Sequence, residues 1–430
     1  MIASINNSVA RMKSGEPLNC ALNAAVNRQQ KSSRSRWLLV SIGLAVGLAL
    51  LASSAGVWWS NLTNAEGRVI DFLPLYTGGW LFWQVRTHLY DLERQLAVEI
   101  PIMAPYGLSE GVMPFNYPPF FALLLVPLAW LPFPLAYATA TALNLFCLAI
   151  TLHLLLRRLA LGSDQTLWLL LIAFCTVPVY VTLLQGQTSL LALLLLTLNV
   201  LNLQEGREVR AGAWAGLLLF KPQLLLLPLL ILAWRRCWRG LLAAVTVLTI
   251  LTLLSLVLVG VAGLQQHVLL IQQMATADGT LGIHPWAMHN LRALAHFSLP
   301  RPWDSVGWWG SSALLVLAIL WVQRPSLAED QNSAWRWSAT VVALVLFTPH
   351  LNTHDLALLL LPCALILRTY EGNTPIPLAA VLVGLSVLPF LTLALWTMTE
   401  VYWPVMPVAL IALFLICLWQ SSGAGAGSEF

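Results

Sequence analysis

The run Trp37-Leu38-Leu39-Val40-Ser41-Ile42-Gly43-Leu44-Ala45-Val46-Gly47-Leu48-Ala49-Leu50-Leu51-Ala52-Ser53-Ser54-Ala55-Gly56-Val57-Trp58-Trp59 carries no charged side chain. It is long enough to cross a bilayer as one helix, which takes about 20 apolar residues. Before it lies a polar, basic tail, residues 1–36, with Arg11, Lys13, Arg28, Lys31, Arg34 and Arg36. The tail has no apolar signal region or cleavage site of its own. The run therefore reads as an uncleaved first span, and the basic tail sets the N-terminus in the cytoplasm. After it comes the only long polar stretch of the first half, 61–116. The rest of the chain repeats the theme: 59% of residues are hydrophobic and only 9% charged, where a soluble domain has about one-quarter charged.

The expected fold is all-α, a polytopic protein of the inner or plasma membrane with about twelve transmembrane helices. A single integral membrane domain occupies 37–420. Apolar runs between polar breaks place the spans at 37–59, 117–132, 134–156, 165–183, 187–203, 211–234, 240–262, 305–322, 334–348, 354–368, 375–396 and 402–419. The turn Leu131-Pro132-Phe133-Pro134 separates the second from the third. The Gly/Ala/Ser-rich end, 421–430, reads as a cloning scar. The net charge of +4 is too small and scattered for nucleic acid. The six cysteines show no CxxC spacing, so neither a disulfide framework nor a zinc site is supported. There is no internal repeat of the kind that builds transporters from two related halves.

Alternate counting from a cytoplasmic N-terminus puts Arg235, Arg236, Arg239, Arg324, Arg336 and Arg368 inside, as the positive-inside rule requires. Arg157 and Arg158 fall outside and disagree. Three polar regions share the outer face: a large first loop at about 60–116, a second at about 263–304, and the turn 348–355. Most of the histidines lie in the last two.

Asp71 opens the first outer loop among Val69, Ile70, Phe72 and Leu73, with Trp80, Phe82 and Trp83 beyond. It reads either as a helix cap or solvated loop carboxylate, or as a carboxylate in an interfacial pocket suited to general-base work. Asp91 and Glu93, flanked by Arg86 and Arg94, read as ion-paired or capping groups, with an acidic Asp-x-Glu site as the alternative. Tyr117-Pro118-Pro119 marks a helix start, where prolines cost no hydrogen bond; Tyr117 could also line a cavity. Gly186-Gln187-Thr188-Ser189 reads as a tight turn, on the cytoplasmic side by the alternate count.

Lys221, before Pro222, interrupts an apolar run about 15 Å from either end. An intramembrane cation is costly and by default functional. His350-Leu351-Asn352-Thr353-His354-Asp355 is the densest polar cluster near a span end. It fits a hydrated turn with capping Asn352 and Asp355, or a site for phosphate or sugar. His284, His289 and Arg292 add imidazole and guanidinium groups to that face. No Gly-rich phosphate loop is present, and no third ligand accompanies a histidine pair, so neither a metal nor another cofactor is expected.

In this order the landmarks resemble the membrane glycosyltransferases of family 87, which have the GT-C architecture. Asp71-Phe72 leads into an aromatic-rich loop ending in Leu89-Tyr90-Asp91. Tyr117-Pro118-Pro119 with Pro127-Leu128 follows, then Gly186-Gln187. Ala211-Gly212 leads to Lys221-Pro222, and Arg235-Arg236-Cys237-Trp238-Arg239 closes that half. Thr348-Pro349-His350 with His354 completes the set; the basic N-terminal tail lies outside it.

The resemblance implies a polyprenyl-phosphate sugar donor, with mannose as the family's characteristic hexose. It also implies an active site on the extracytoplasmic face, no nucleotide or metal, and Asp71 as the base. Acceptors vary within the family, so only a lipid-linked or cell-envelope glycan is implied. Lys221, His284, His289, Arg292, His350 and His354 are the groups available to a lipid phosphate. With one clear carboxylate, an inverting single displacement follows. A transporter or flippase would need polar residues along several helix centres, and apart from Lys221 the spans are nearly bare. A polysaccharide polymerase or ligase is the nearer rival, and a non-catalytic assembly subunit a third.

Overall fold

The computed structural model describes residues 18–63, 71–104, 113–277, 280–324, 332–370 and 374–422. Much of the basic tail (1–17), residues 68–70 ahead of Asp71 and the terminal 423–430 lie outside the described residues. Among the described residues every regular element is helical, and one isolated β-bridge pairs Met288 with Asn352. Only helices close their own hydrogen bonds within one apolar segment, which is why this composition gives them.

Helix α1 (Leu18–Thr63) contains the expected first span, apolar over Arg34–Trp59. Among the described residues, five helices are long and apolar enough to cross a membrane, or six with one bent pair counted as a span. The chain is a membrane protein.

The first polar stretch holds α2 (Phe72–Gln84) and α3 (Leu92–Met103). Then α4 (Pro119–Ala129) begins on the proline pair, as expected. This helix does not cross, contrary to the span expected over 117–132. Its eleven residues rise only about 16 Å. It starts beside Tyr117 and ends where the Leu131 carbonyl accepts from the Tyr76 hydroxyl at 3.0 Å. Phe133, just beyond, packs on the rings of Phe72 and Tyr76. The chain leaving α4 thus runs back along α2, from Trp130 against Trp83 to Phe133 at the start of α2. Close packing makes the turn-back possible: a Cβ at Gly79 would sit 2.7 Å from the Leu125 carbonyl oxygen.

Consequently α5 (Phe133–Arg158) starts at the Asp71 end and carries Arg157 and Arg158 to the other end. There Arg158 lies 3.6 Å from Glu205. The two arginines that broke the charge rule now join the rest. Helices α6 (Ser163–Cys175) and α7 (Val177–Gln185) are the bent pair, meeting at 46° about Thr176. Gly186, left-handed at φ 65, turns the chain into α8 (Ser189–Gln204). Its close neighbour is Phe72, so the 186–189 turn lies beside Asp71. The expectation that this turn faces the opposite side is overturned.

The run 211–234 is likewise not one crossing. Helix α9 (Glu208–Leu217) stops, two 3-10 turns flank Lys221, and α10 (Leu226–Trp234) returns. Pro222 has no amide to continue the helix. A Cβ at Gly212 would run into the Gly240 carbonyl, which ties the start of α9 to the start of α11 (Trp238–Thr276). The segment leaves the arginine end, reaches the Asp71 end at Lys221 and comes back.

The chain continues through α12 (Leu291–Ser298), α13 (Trp303–Val322) and α14 (Ser333–Phe347). A 3-10 turn, Thr353–Leu359, leads into α15 (Leu360–Arg368), and α16 (Ile376–Thr399) and α17 (Val405–Ser421) close the fold. Helix α14 is buried from Ser333 to Leu346 and packs on α15 and α17, so it forms the centre.

Helix ends sort into two layers. One holds the Arg36–Asp164 ion pair, the Asp164 carboxylate accepting from the Thr374 amide at 2.6 Å, and Arg235 donating to Gln323 at 3.1 Å. The other holds Asp71, Lys221, Arg292, His354 and Asp355 round a cavity.

Candidate active site

A cavity of about 390 Å³ opens between α2, the 113–117 segment, the Lys221 turn, the end of α11 and the turn after α14. Asp71, Tyr117, Lys221, Arg292, His350, Asn352 and His354 all line it, together with Gln187 and Asp355.

Asp71 directly precedes α2, yet its side chain makes no capping hydrogen bond. The carboxylate is 24% exposed and accepts from the Gln187 amide at 3.0 Å. Gln187 is held in turn by the Tyr117 hydroxyl, which donates to its carbonyl oxygen at 3.2 Å. Tyr117 stacks on Phe121 and Phe220, so this relay rests on a rigid aromatic wall. Asp91 takes the opposite course. It caps α3, accepting from the amides of Glu93 and Arg94, and lies 3.6 Å from Arg94. Asp91 and Glu93 do not line the cavity.

Lys221 is buried, with its ammonium 2.6 Å from Asp355 Oδ1 and donating to Ser189 Oγ at 3.1 Å. Ser189 donates to the same carboxylate oxygen at 2.6 Å. His354 links the two carboxylates: Nδ1 lies 4.0 Å from Asp71 and Nε2 3.5 Å from Asp355. Gln185 fixes the ring, its carbonyl oxygen 3.0 Å from Nδ1. The sequence does not point to Gln185, and Gln187, Ser189 and Asp355 read there chiefly as turn or capping residues. The signal for Asp355 was available, since a buried ammonium needs a buried counter-ion.

Arg292 donates to the Ala275 carbonyl at 2.8 Å and lies over the Trp308 ring. It braces the end of α11 while lining the cavity. His350 and His289 are both lowered to about 4, burial being the main cause in each. Both are neutral imidazoles at neutral pH, donors or acceptors rather than cations. His289 bonds Thr353 Oγ1 at 2.9 Å and stands behind the lining. His284 is exposed, packs against Trp286, and is also outside it. Among the described residues no three His, Cys, Asp or Glu side chains converge as a metal site.

The cavity wall at Met113 hangs on α3. Gln95 accepts from the Phe115 amide at 2.7 Å and Glu99 from the Met113 amide at 3.0 Å. Glu99 is fully buried, and burial pushes its carboxyl up from 4.5 to about 7. A raised carboxyl favours the protonated folded state, so this stability is full below pH 4.5 and lost as pH rises through 7. The melting temperature should fall on the order of 5 °C between pH 5 and pH 8. Glu99→Gln should flatten that slope; an unchanged slope in the variant assigns the pH dependence elsewhere.

In this membrane protein, apolar helices thus surround a polar cavity faced by a partly exposed carboxylate. The chain belongs to glycosyltransferase family 87, whose family model matches residues 115–349, more than half of its length. No curated protein and no solved structure matches it. The matched region carries Tyr117, Gln187, Lys221 and Arg292. Asp71 precedes it and His354 follows it, and folding brings the two to the same cavity.

Proposed function

We propose that this glycosyltransferase moves a hexose, mannose in the first instance, from a polyprenyl phosphate to a lipid-linked or cell-envelope glycan. The reaction is an inverting single displacement on the extracytoplasmic face. One observation carries the reading: the Asp71 carboxylate, not spent on capping its helix, faces a cavity with hydrogen-bond donors on its other walls.

The acceptor hydroxyl gives its proton to Asp71 as its oxygen attacks the anomeric carbon. The bond from that carbon to the phosphate oxygen breaks, and its electron pair leaves with the lipid phosphate. A phosphate is already a good leaving group, so donors and positive charge suffice in place of an acid. Arg292, His350 and the Lys221–Asp355 pair surround the place where that phosphate would sit. Gln187 orients Asp71, and Tyr117 orients Gln187.

Membranes containing the protein should transfer label from polyprenyl-phosphate mannose with inversion at the anomeric carbon. Retention of configuration would remove the single displacement. Labelling that requires a nucleotide sugar would remove the lipid donor.

Orientation follows from charge: the end rich in arginines is taken as cytoplasmic, with both termini, and the cavity end as outer. Single cysteines at positions 64 and 111, replacing Asn64 and Gly111, should react with an impermeant thiol reagent in intact cells. Protection of both until lysis inverts the orientation.

A further inference from the structure

A second cleft, of about 750 Å³, lies at the end opposite Asp71. Two loops form it, one between α8 and α9 and one between α10 and α11. Arg207, Arg210, Arg236 and Arg239 line it with a single carboxylate, Glu208, and Trp238. Arg207 is engaged by Glu205 at 2.6 Å. Among the described residues no ion pair uses Arg210, Arg236 or Arg239. Three guanidinium groups thus converge on one hollow in a protein otherwise poor in charge.

The loops are built to meet. Gly212 and Gly240 let the backbones of α9 and α11 touch, and Gly240 in turn approaches the Glu208 carbonyl at 2.8 Å from where a Cβ would be. Arg236 sits in the turn with a left-handed backbone, φ 57, a conformation that non-glycine residues hold only under constraint.

The surroundings identify the ligand. From the cleft, α11 presents one broad face of exposed apolar side chains, Leu242, Val245, Leu253 and Val257, with Leu242 69% and Val257 82% exposed. Trp238 stands at the boundary, 61% exposed, where an indole favours the headgroup level. An acyl chain lying on that face places its phosphate in the cleft. Guanidinium forks match phosphate oxygens, and basic pockets beside membrane helices hold anionic headgroups.

We propose that this cleft is a binding site for the phosphate headgroup of an anionic membrane lipid. The proposal is independent of the reaction at the Asp71 cavity.

The test is native mass spectrometry of the full chain in detergent, titrated with phosphatidylglycerol, phosphatidylcholine or inorganic phosphate. Phosphatidylglycerol should remain bound at least about tenfold better than phosphatidylcholine, and millimolar inorganic phosphate should not displace it. Arg236→Gln/Arg239→Gln should lower its occupancy about fivefold or more. Arg157→Gln, at the same end but outside the cleft, should leave it unchanged. If the double variant melts early, the single variants Arg210→Gln and Arg239→Gln each lower occupancy in the same assay. Equal retention of both lipids, undiminished binding in the arginine variants, or displacement by free phosphate each overturns the proposal.

Discussion

Asp71→Asn should lower sugar transfer by about 10²–10⁴-fold while donor lipid still binds and the protein keeps its melting temperature. Structure explains why the loss should be confined to chemistry. The Asp71 carboxylate makes no capping bond to α2, and its described hydrogen bond comes from the Gln187 amide. An asparagine carbonyl oxygen accepts that bond equally well and leaves the side chain's shape unchanged. It cannot take the proton from an acceptor hydroxyl. Asp91→Asn is the matched control: Asp91 caps α3 and does not line the cavity. Its loss should cost about 1 kcal/mol of stability at most and leave transfer intact. More than about a third of wild-type turnover in Asp71→Asn removes Asp71 as the base. Donor binding and melting are read on the same preparation, which separates a chemical loss from a folding one.

Much of this is legible in the sequence. The charge-free run through Trp37 to Trp59 gave the first span, and the prolines at 118 and 119 gave the start of α4. Asp71 stood out because its neighbours are apolar, and Lys221 because a lone ammonium in such a run has no cheap explanation. Direction was not legible. Hydropathy registers how long an apolar run is, not whether it turns back, and α4 and the α9–α10 segment both turn back. Each is interrupted or ended at a proline, and each is closed by glycine packing against a distant helix, Gly79 on α4 and Gly212 on α11. The first error alone displaced Arg157, Arg158 and Gln187 to the wrong ends, and the second cancelled it from Arg235 onward. The disagreement of Arg157 and Arg158 with the charge rule was the visible trace of the first. His284 and His289 share the 263–304 segment with Arg292 but not the cavity lining, because proximity in sequence to Arg292 does not decide which side of a loop faces inward.

Lys221→Met should destabilise the protein by about 3–5 kcal/mol, more than a simple loss of donor binding would imply. Lys221 and Asp355 are each nearly buried and 2.6 Å apart. Removing the ammonium leaves the Asp355 carboxylate with Ser189 at 2.6 Å and His354 at 3.5 Å but without its cation. Asp355→Asn should be as costly in the opposite sense, stranding the ammonium against Ser189. A single variant therefore cannot tell whether Lys221 serves the donor phosphate or only its neighbour. Lys221→Met/Asp355→Leu can, because it removes both charges and buries apolar groups of similar size. Replacing a buried pair in this way is often neutral or better, so the double variant should melt near the wild type. With the fold restored, activity decides the role. A raised donor KM or lowered kcat, with acceptor KM unchanged, assigns the pair to the phosphate. Wild-type donor kinetics in the stable double variant make it a strut of the 3-10 turns round Lys221 and Asp355, and leave Arg292 and His350 to receive the leaving group.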